Sequence, residues 1–223
     1  MPEPHPLIKI CCIANLAEAR LAQAEGAAAL GLVSAMPSGP GVISDALVAD
    51  IATAMRGLPV RSFLLTARTR AADIARQHAA AGTTTLQLVD HVPVAELQAL
   101  RQLCPGVELV QVIHVTGPDV LTAARAAAPW VDAVLLDSGN PALAVKELGG
   151  TGRTHDWALS RRIRDAIHPL PLWLAGGLRA DNVQAAIRAV QPHGLDLCTG
   201  VRSGGQLDAD KLRQFVAAVR EAA

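Results

Sequence analysis

Short apolar runs alternate along this chain with longer, Ala-rich stretches in which apolar positions recur at helical spacing. The runs cover residues 7–11, 29–33, 60–66, 84–88, 107–113, 132–137, 170–175 and 195–198. Each is short and apolar through most of its length, as parallel strands covered on both faces are. Helices are expected between them, near 15–25, 44–56, 69–82, 92–103, 117–128, 157–167, 180–191 and 208–222. Ser44-Asp45, Asp156, Asp181 and Asp208 stand where an N-cap or first-turn acid belongs, and Gly57 and Gly82 where helices should stop.

Eight strand–helix pairs in 223 residues is about 28 residues per pair, close to a minimal βα module. No Ser-rich linker, charge block or change of composition divides the chain. The expectation is an α/β protein whose residues 1–223 form one (β/α)₈ TIM barrel. A doubly wound sheet is the alternative; eight regular units without an antiparallel signal favour closure. In a closed barrel the chemistry belongs at the C-terminal strand ends. That places Cys11-Cys12, the loop at 34–41, Asp137-Ser138, Gly176-Gly177 and Thr199-Gly200 on one face.

Composition narrows the function. Twenty Lys+Arg balance twenty Asp+Glu, so no net field draws the chain to nucleic acid or anionic lipid. Aromatics at 2% leave no stacking platform for single-stranded nucleic acid. With 51% hydrophobic and 18% charged residues, the chain has the material for a core and is not disordered. Four cysteines without a C-x-x-C pair, and an N-terminus without a basic segment leading into an apolar stretch, read as a reduced cytoplasmic protein. No apolar run approaches the roughly 20 residues of a membrane span. No H-E-x-x-H or Cys/His cluster argues for a metal, and no cofactor is expected.

Ala175-Gly176-Gly177 after the seventh run has the form of a phosphate cradle, because glycines let backbone N–H groups approach an anion closely. Thr199-Gly200 after the eighth run supplies the other half. For one Gly pair alone, a tight turn explains as much; the pairing favours phosphate. Asp137 ends an apolar run, where a partly dry carboxyl suits a general acid; the plainer alternative is a cap on the Ser138-Gly139-Asn140-Pro141 turn. Strand alternation lets only one of Cys11 and Cys12 face the mouth, as a small hydrophobe or as a thiolate base. Cys198 carries the same ambiguity, and Cys104 on a helix reads as inert. The 19-residue connection from Ser138 to Asp156, with Gly149-Gly150-Thr151-Gly152, reads as a lid that can add amides, Gly150 among them, to the phosphate.

These segments resemble phosphoribosylanthranilate isomerase, the tryptophan-pathway family on a (β/α)₈ barrel. The likeness lies in Lys9-Ile10-Cys11, Leu135-Leu136-Asp137, Gly149-Gly150-Thr151-Gly152 with Asp156-Trp157, Leu174-Ala175-Gly176-Gly177-Leu178 with Asn182-Val183, and Asp196-Leu197-Cys198-Thr199-Gly200-Val201. It runs in order over nearly the whole chain. The resemblance implies an aldose–ketose Amadori rearrangement of N-(5-phosphoribosyl)anthranilate, with Cys11 as general base at sugar C2 and Asp137 as general acid at the ring oxygen. It implies a small phosphosugar as partner, while neutral charge and the lack of an apolar surface stripe leave monomer and homodimer open.

Five positions depart from the family. Cys12 replaces Gly, Ala14 replaces Thr, Val89-Asp90 replace His-Gly, and Arg202 replaces an acid. Ser38-Gly39-Pro40-Gly41 also lacks the arginine that holds anthranilate in the family, which leaves Arg68 or Arg202 as candidates to replace it. The alternatives are a divergent isomerase or lyase for another phosphorylated aminosugar, and a noncatalytic phosphometabolite-binding paralog; retention of Cys11 and Asp137 argues against the last.

Overall fold

The computed structural model describes residues 5–117 and 119–222. Residues 1–4, which carry the reading of the N-terminus, and Pro118, within the helix expected from 117, lie outside the described residues. Eight strands close in sequence order into a parallel barrel: β1 (Leu7–Ile10), β2 (Ala29–Val33), β3 (Arg61–Thr66), β4 (Thr85–Leu88), β5 (Glu108–His114), β6 (Ala133–Asp137), β7 (Leu172–Leu174) and β8 (Gly194–Leu197). The seam pairs Lys9 with Asp196 and Ile10 with Leu197, so the sheet is closed and not doubly wound. The helices follow their strands: α1 (Leu16–Ala24), α2 (Asp45–Ala54), α3 (Ala71–Ala81), α4 (Val94–Leu103), α5 (Val120–Ala127), α6 (Trp157–Ile167), α7 (Val183–Val190) and α8 (Ala209–Arg220). A short hairpin, β9 (Arg202–Ser203) and β10 (Gln206–Leu207), precedes α8.

The apolar runs conceal a period of two. Cys11, Ala29, Phe63, Val110, Leu135 and Trp173 pack together inside the barrel. Their neighbours Ile10, Leu30, Leu64, Leu109, Val134 and Leu174 point outward into a second cluster under the helices. Both faces are dry, so both sets are apolar and the alternation does not show as polarity.

Two aromatic residues fill the barrel's lower half. The rings of Phe63 and Trp173 meet edge to face with centroids 5.7 Å apart. Arg61 lies over both rings and pairs with Glu108 at 2.9 and 3.0 Å, and Thr85 Oγ1 donates to Glu108 Oε2 at 2.7 Å. The room for Trp173 comes from Gly194, where an added Cβ would fall well inside contact distance of the indole. This floor confines any open space to the opposite, C-terminal end.

The caps follow the sequence with two exceptions, the first being that α2 ends at Ala54 with Met55 as its cap, ahead of Gly57. Ser44 Oγ accepts from Leu47 N–H at 3.2 Å, Asp156 and Asp208 accept from the first-turn amides of α6 and α8, and Gly82 ends α3 at φ +64°. Asp181 does not cap a helix: α7 starts at Val183, and Asp181 pairs with Arg179 in the preceding turn. Asn182 holds that turn, accepting from Arg179 N–H at 2.8 Å and donating to the Gly177 carbonyl at 2.9 Å. No helix among the described residues is long and apolar enough to cross a membrane.

Gly194→Ala should destabilise the barrel by about 1–3 kcal/mol through overpacking against Trp173. In urea unfolding, a less-than-additive loss in Gly194→Ala/Trp173→Leu would locate the strain at this contact.

Candidate active site

A cavity open to solvent lies at the C-terminal end of the barrel. Its walls include Cys11, Cys12 and Cys198 at the β1/β8 seam, Asp137 from β6, Gly176 and Gly177 after β7, and Leu148 to Gly152 from the long loop. Both Cys11 and Cys12 line it, contrary to the alternation expected from sequence. The reason is local: β1 stops at Ile10, and Cys12 takes a left-handed conformation at φ +62°, so the period of two no longer applies. Hydrogen bonding to the Cys11 and Cys198 sulfurs, together with burial, holds the Cys12 thiol protonated, well above its ordinary range. Cys198 shifts the other way, lowered by its bond with Cys12 and by the nearby Arg202 charge. Cys104 is buried at the end of α4, away from the cavity.

Asp137 is 9% exposed at the top of β6. Its Oδ1 accepts from Ser138 N–H at 2.7 Å, while its Oδ2 faces Gly149, where a Cβ would stand 2.5 Å away. Glycine at 149 therefore lets the loop lie against the carboxylate. Ser138 Oγ and Thr151 Oγ1, 2.6 Å apart, latch the start of the loop to its glycine segment. Ser38 Oγ donates to the Lys146 carbonyl, and Pro40 sits over Gly150, so the loops after β2 and β6 meet above the cavity.

The glycine segments converge as the sequence reading expects. Gly176 and Gly177 have φ of +86° and +61°, and residues 152–154 lie so close to Gly177 that a Cβ there would be 2.7 Å from Arg153 C. Gly150, Ala175 and Thr199 line the same end of the cavity, and the Thr199 hydroxyl is near Gly152. The N–H groups of Gly176 and Gly177 have no partner among the described residues. Gly200 is set back from the lining: it is packed against the Leu178 carbonyl, where a Cβ has no room. Behind Gly176, burial keeps the His155 imidazole below its ordinary pKa, against the opposing pull of Asp137.

Sequence reasoning missed the Lys9–Asp196 pair. The ammonium is fully buried and 2.8 Å from the carboxylate, and Asp196 lines the cavity. Burial alone would lower the Lys9 pKa; the Asp196 charge outweighs it and holds Lys9 protonated. The signal was available, since Lys9 and Asp196 each interrupt an apolar run at an inward position.

The two arginines proposed to grip an aryl carboxylate do not line the cavity. Arg68 lies after β3 with its Nε donating to Gln77 Oε1 at 3.2 Å. Arg202 is a strut: it donates to both Glu18 oxygens at 3.0 Å and to the carbonyls of Cys11, Cys12 and Gly205. Glu18 also accepts from Ala14 and Leu207 N–H at 3.0 and 2.9 Å, which ties the β1 loop to the β9–β10 hairpin. Burial pushes the Glu18 carboxyl up, but Arg202 and these amides outweigh it and leave the pKa lowered. A lowered folded-state pKa means the contact stabilises fully above the unfolded value and is lost as pH falls through the folded one. Glu18→Gln should cost about 3 kcal/mol at pH 7 by stranding a buried guanidinium. The gap between variant and wild-type urea midpoints should hold from pH 7 down to about pH 4, the ordinary Glu value, and close only at lower pH as the lowered folded-state pKa is passed.

A thiol, a carboxyl and an anion cradle gathered at one end of a closed (β/α)₈ barrel define the class of barrel isomerases acting on small phosphorylated sugars. The family model for N-(5'phosphoribosyl)anthranilate (PRA) isomerase matches residues 65–218. The chain is 34% identical over 212 residues to N-(5'-phosphoribosyl)anthranilate isomerase 2 of Methanosarcina mazei, covering 94% of this chain and 92% of that protein. It is 43% identical over 153 residues to the Haloferax volcanii isomerase, covering 68% of this chain and 63% of that one. Among solved structures, the Thermotoga maritima phosphoribosylanthranilate isomerase superposes with a TM-score of 0.82 at 25% identity, covering 97% of this chain and 99% of that one. The Thermus thermophilus enzyme gives 0.79 at 26%, covering 97% and 100%. This chain belongs to the N-(5'-phosphoribosyl)anthranilate isomerase family.

Proposed function

We propose that this protein isomerises N-(5'-phosphoribosyl)anthranilate to 1-(o-carboxyphenylamino)-1-deoxyribulose 5-phosphate, with Cys11 as base and Asp137 as acid. The observation that carries the assignment of roles is the meeting of Cys11, Asp137 and the glycine segments of three loops in one cavity. The phosphate lies on the amides around Gly150, Gly176, Gly177 and Thr199, which supply donors without a charged side chain. Ala175 forms the floor of that end, and Gly200 supports it through its close approach to Leu178. This grip fixes the sugar so that its C1 and C2 stand between the thiol and the carboxyl.

Asp137 donates its proton to the ring oxygen as the C1–O bond breaks, and the amine lone pair closes a C=N bond. Cys11, as thiolate, removes the C2 proton, and that electron pair forms C1=C2 while the C=N pair returns to nitrogen. The enolamine takes a proton at C1 and releases its C2 hydroxyl proton, giving the ketose; atoms and electrons balance within the substrate. Burial beneath the long loop keeps water from competing for these protons. In the cell the protein acts in tryptophan synthesis, in the cytoplasm, as a monomer or homodimer.

Turnover of freshly generated phosphoribosylanthranilate, followed by loss of anthranilate-type fluorescence, tests the roles. Cys11→Ser and Asp137→Asn should each lower kcat by about 10²- to 10⁴-fold with folded protein and unchanged affinity for a phosphosugar product analogue. Turnover that survives both substitutions would remove the assignment.

A further inference from the structure

The cavity has three parts. One is the glycine cradle, the second is the thiol and carboxyl pair, and the third, on the β2–β3 side under the long loop, is walled by Val33, Met36, Pro40, Leu65, Leu148 and the side chain of Cys12. With the phosphate and the reacting carbons assigned to the first two, the group on the substrate's amine falls in the third; this inference rests on that reading. Its walls are apolar, and the charged side chains among the cavity-lining residues are the carboxylates Asp137 and Asp196.

Among the described residues no lysine or arginine lines the cavity, and Arg68, on the loop after β3, donates to Gln77. Lys9 is held by Asp196 at the cavity wall, Arg202 by Glu18 and two loop carbonyls, Lys146 by Asp90, and Arg153 by Glu147. The β2 loop is closed to a cation at position 41. Gly41 has φ +78°, and a Cβ there would run into Cys12, lying 2.8 Å from its Cα and nearer still to its Cβ. The left-handed turn at Cys12 places that side chain where a residue at 41 would have to project. The contact is fixed on both sides, by Ile43 N–H donating to Val33 O at 2.9 Å and by Pro40 packed on Gly150. The polar side chains that line the cavity on this side are neutral: Ser38, whose hydroxyl donates to the Lys146 carbonyl, and Gln87, an amide 3% exposed whose Oε1 is buried without a partner. A carboxylate pushed into such a slot loses water, meets like charge and gains no charge-assisted bond.

We infer that this enzyme recognises the aryl group on the substrate's amine by its apolar faces and not by its carboxylate, with Cys12 closing the wall, so that N-aryl phosphoribosylamines lacking the carboxylate are converted about as well. Anthranilate binds with its ring in the slot and its carboxylate turned toward the open mouth. Cys12 is thereby a specificity-determining residue, acting through the space it takes from position 41.

The test compares N-(5-phosphoribosyl)anthranilate with N-(5-phosphoribosyl)aniline as substrates. In parallel, calorimetry compares the corresponding reduced ketose analogues as ligands, at low and high salt. The expected result is kcat/KM and Kd within about threefold between the two members of each pair, with a ratio that salt does not change. A preference of tenfold or more for the carboxylated member, equivalent to about 1.4 kcal/mol and the low end of a charge-assisted contact, overturns the inference. Met36→Arg, which adds a guanidinium to the wall, should create such a preference; an unchanged ratio would also overturn the placement. Equal binding of both analogues without turnover of either substrate would remove the isomerase reading, and with it the claim of conversion, and leave standing the recognition of the aryl group by its faces alone, whereas binding of neither would remove both.

Discussion

Closure of the barrel at the β1–β8 seam is the constraint on which the rest of this structure depends. Cys11 N–H donates to Leu197 O at 2.8 Å, and Lys9 is set beside Asp196 in register. An open sheet would leave two edges of unpaired amides and would expose the Lys9–Asp196 pair. Closure does three things at once: it pairs the last edge, buries an ion pair whose members support each other, and brings cysteines from residues 11, 12 and 198 to one place.

The site is held from below and from above. Below, Arg61 lies over the edge-to-face Phe63 and Trp173 rings and pairs with Glu108, and this floor leaves space only at the upper end. Above, glycines at 149, 150 and 177 allow the long loop to touch Asp137, Pro40 and its own residues 152–154 without side chains intervening. A Cβ at these positions would meet the Asp137 carboxylate, the Pro40 ring or the backbone of residues 152–154, a stronger demand than turn geometry alone. Arg202 contributes from outside the cavity. By binding Glu18 and the Cys11 and Cys12 carbonyls it fixes the backbone on which both thiols stand. A residue that by position resembles a substrate contact has become part of the frame.

Much of this was legible in the residues. Period and punctuation located all eight strands and helices to within a few positions, because barrel strands are short and buried on both sides and their helices carry Ser44, Asp156 and Asp208 as caps. Cys11, Asp137, Gly176, Gly177 and Thr199 were picked out by lying at or just past strand ends, where this fold places its chemistry, and Gly150 by the glycine run of the long connection; all line one cavity. Asp181 misled because its acid stands one residue too early for the helix, and a turn held by Asn182 intervenes. The exclusion of one of Cys11 and Cys12 failed because alternation holds only while the strand continues.

By itself, the sequence determined the order and kind of elements, the closure they favour, and which strand ends bear reactive groups, since these depend on local periodicity and on neighbours a few residues apart. Tertiary structure alone decided where long side chains end. Arg202 reaches Glu18, 184 positions away, and Lys9 reaches Asp196, because the energy of a buried charge depends on which partner the closed barrel brings within bonding distance. It also decided that Cys12 and Gly41 share one space, a contact between two loops that no local pattern encodes.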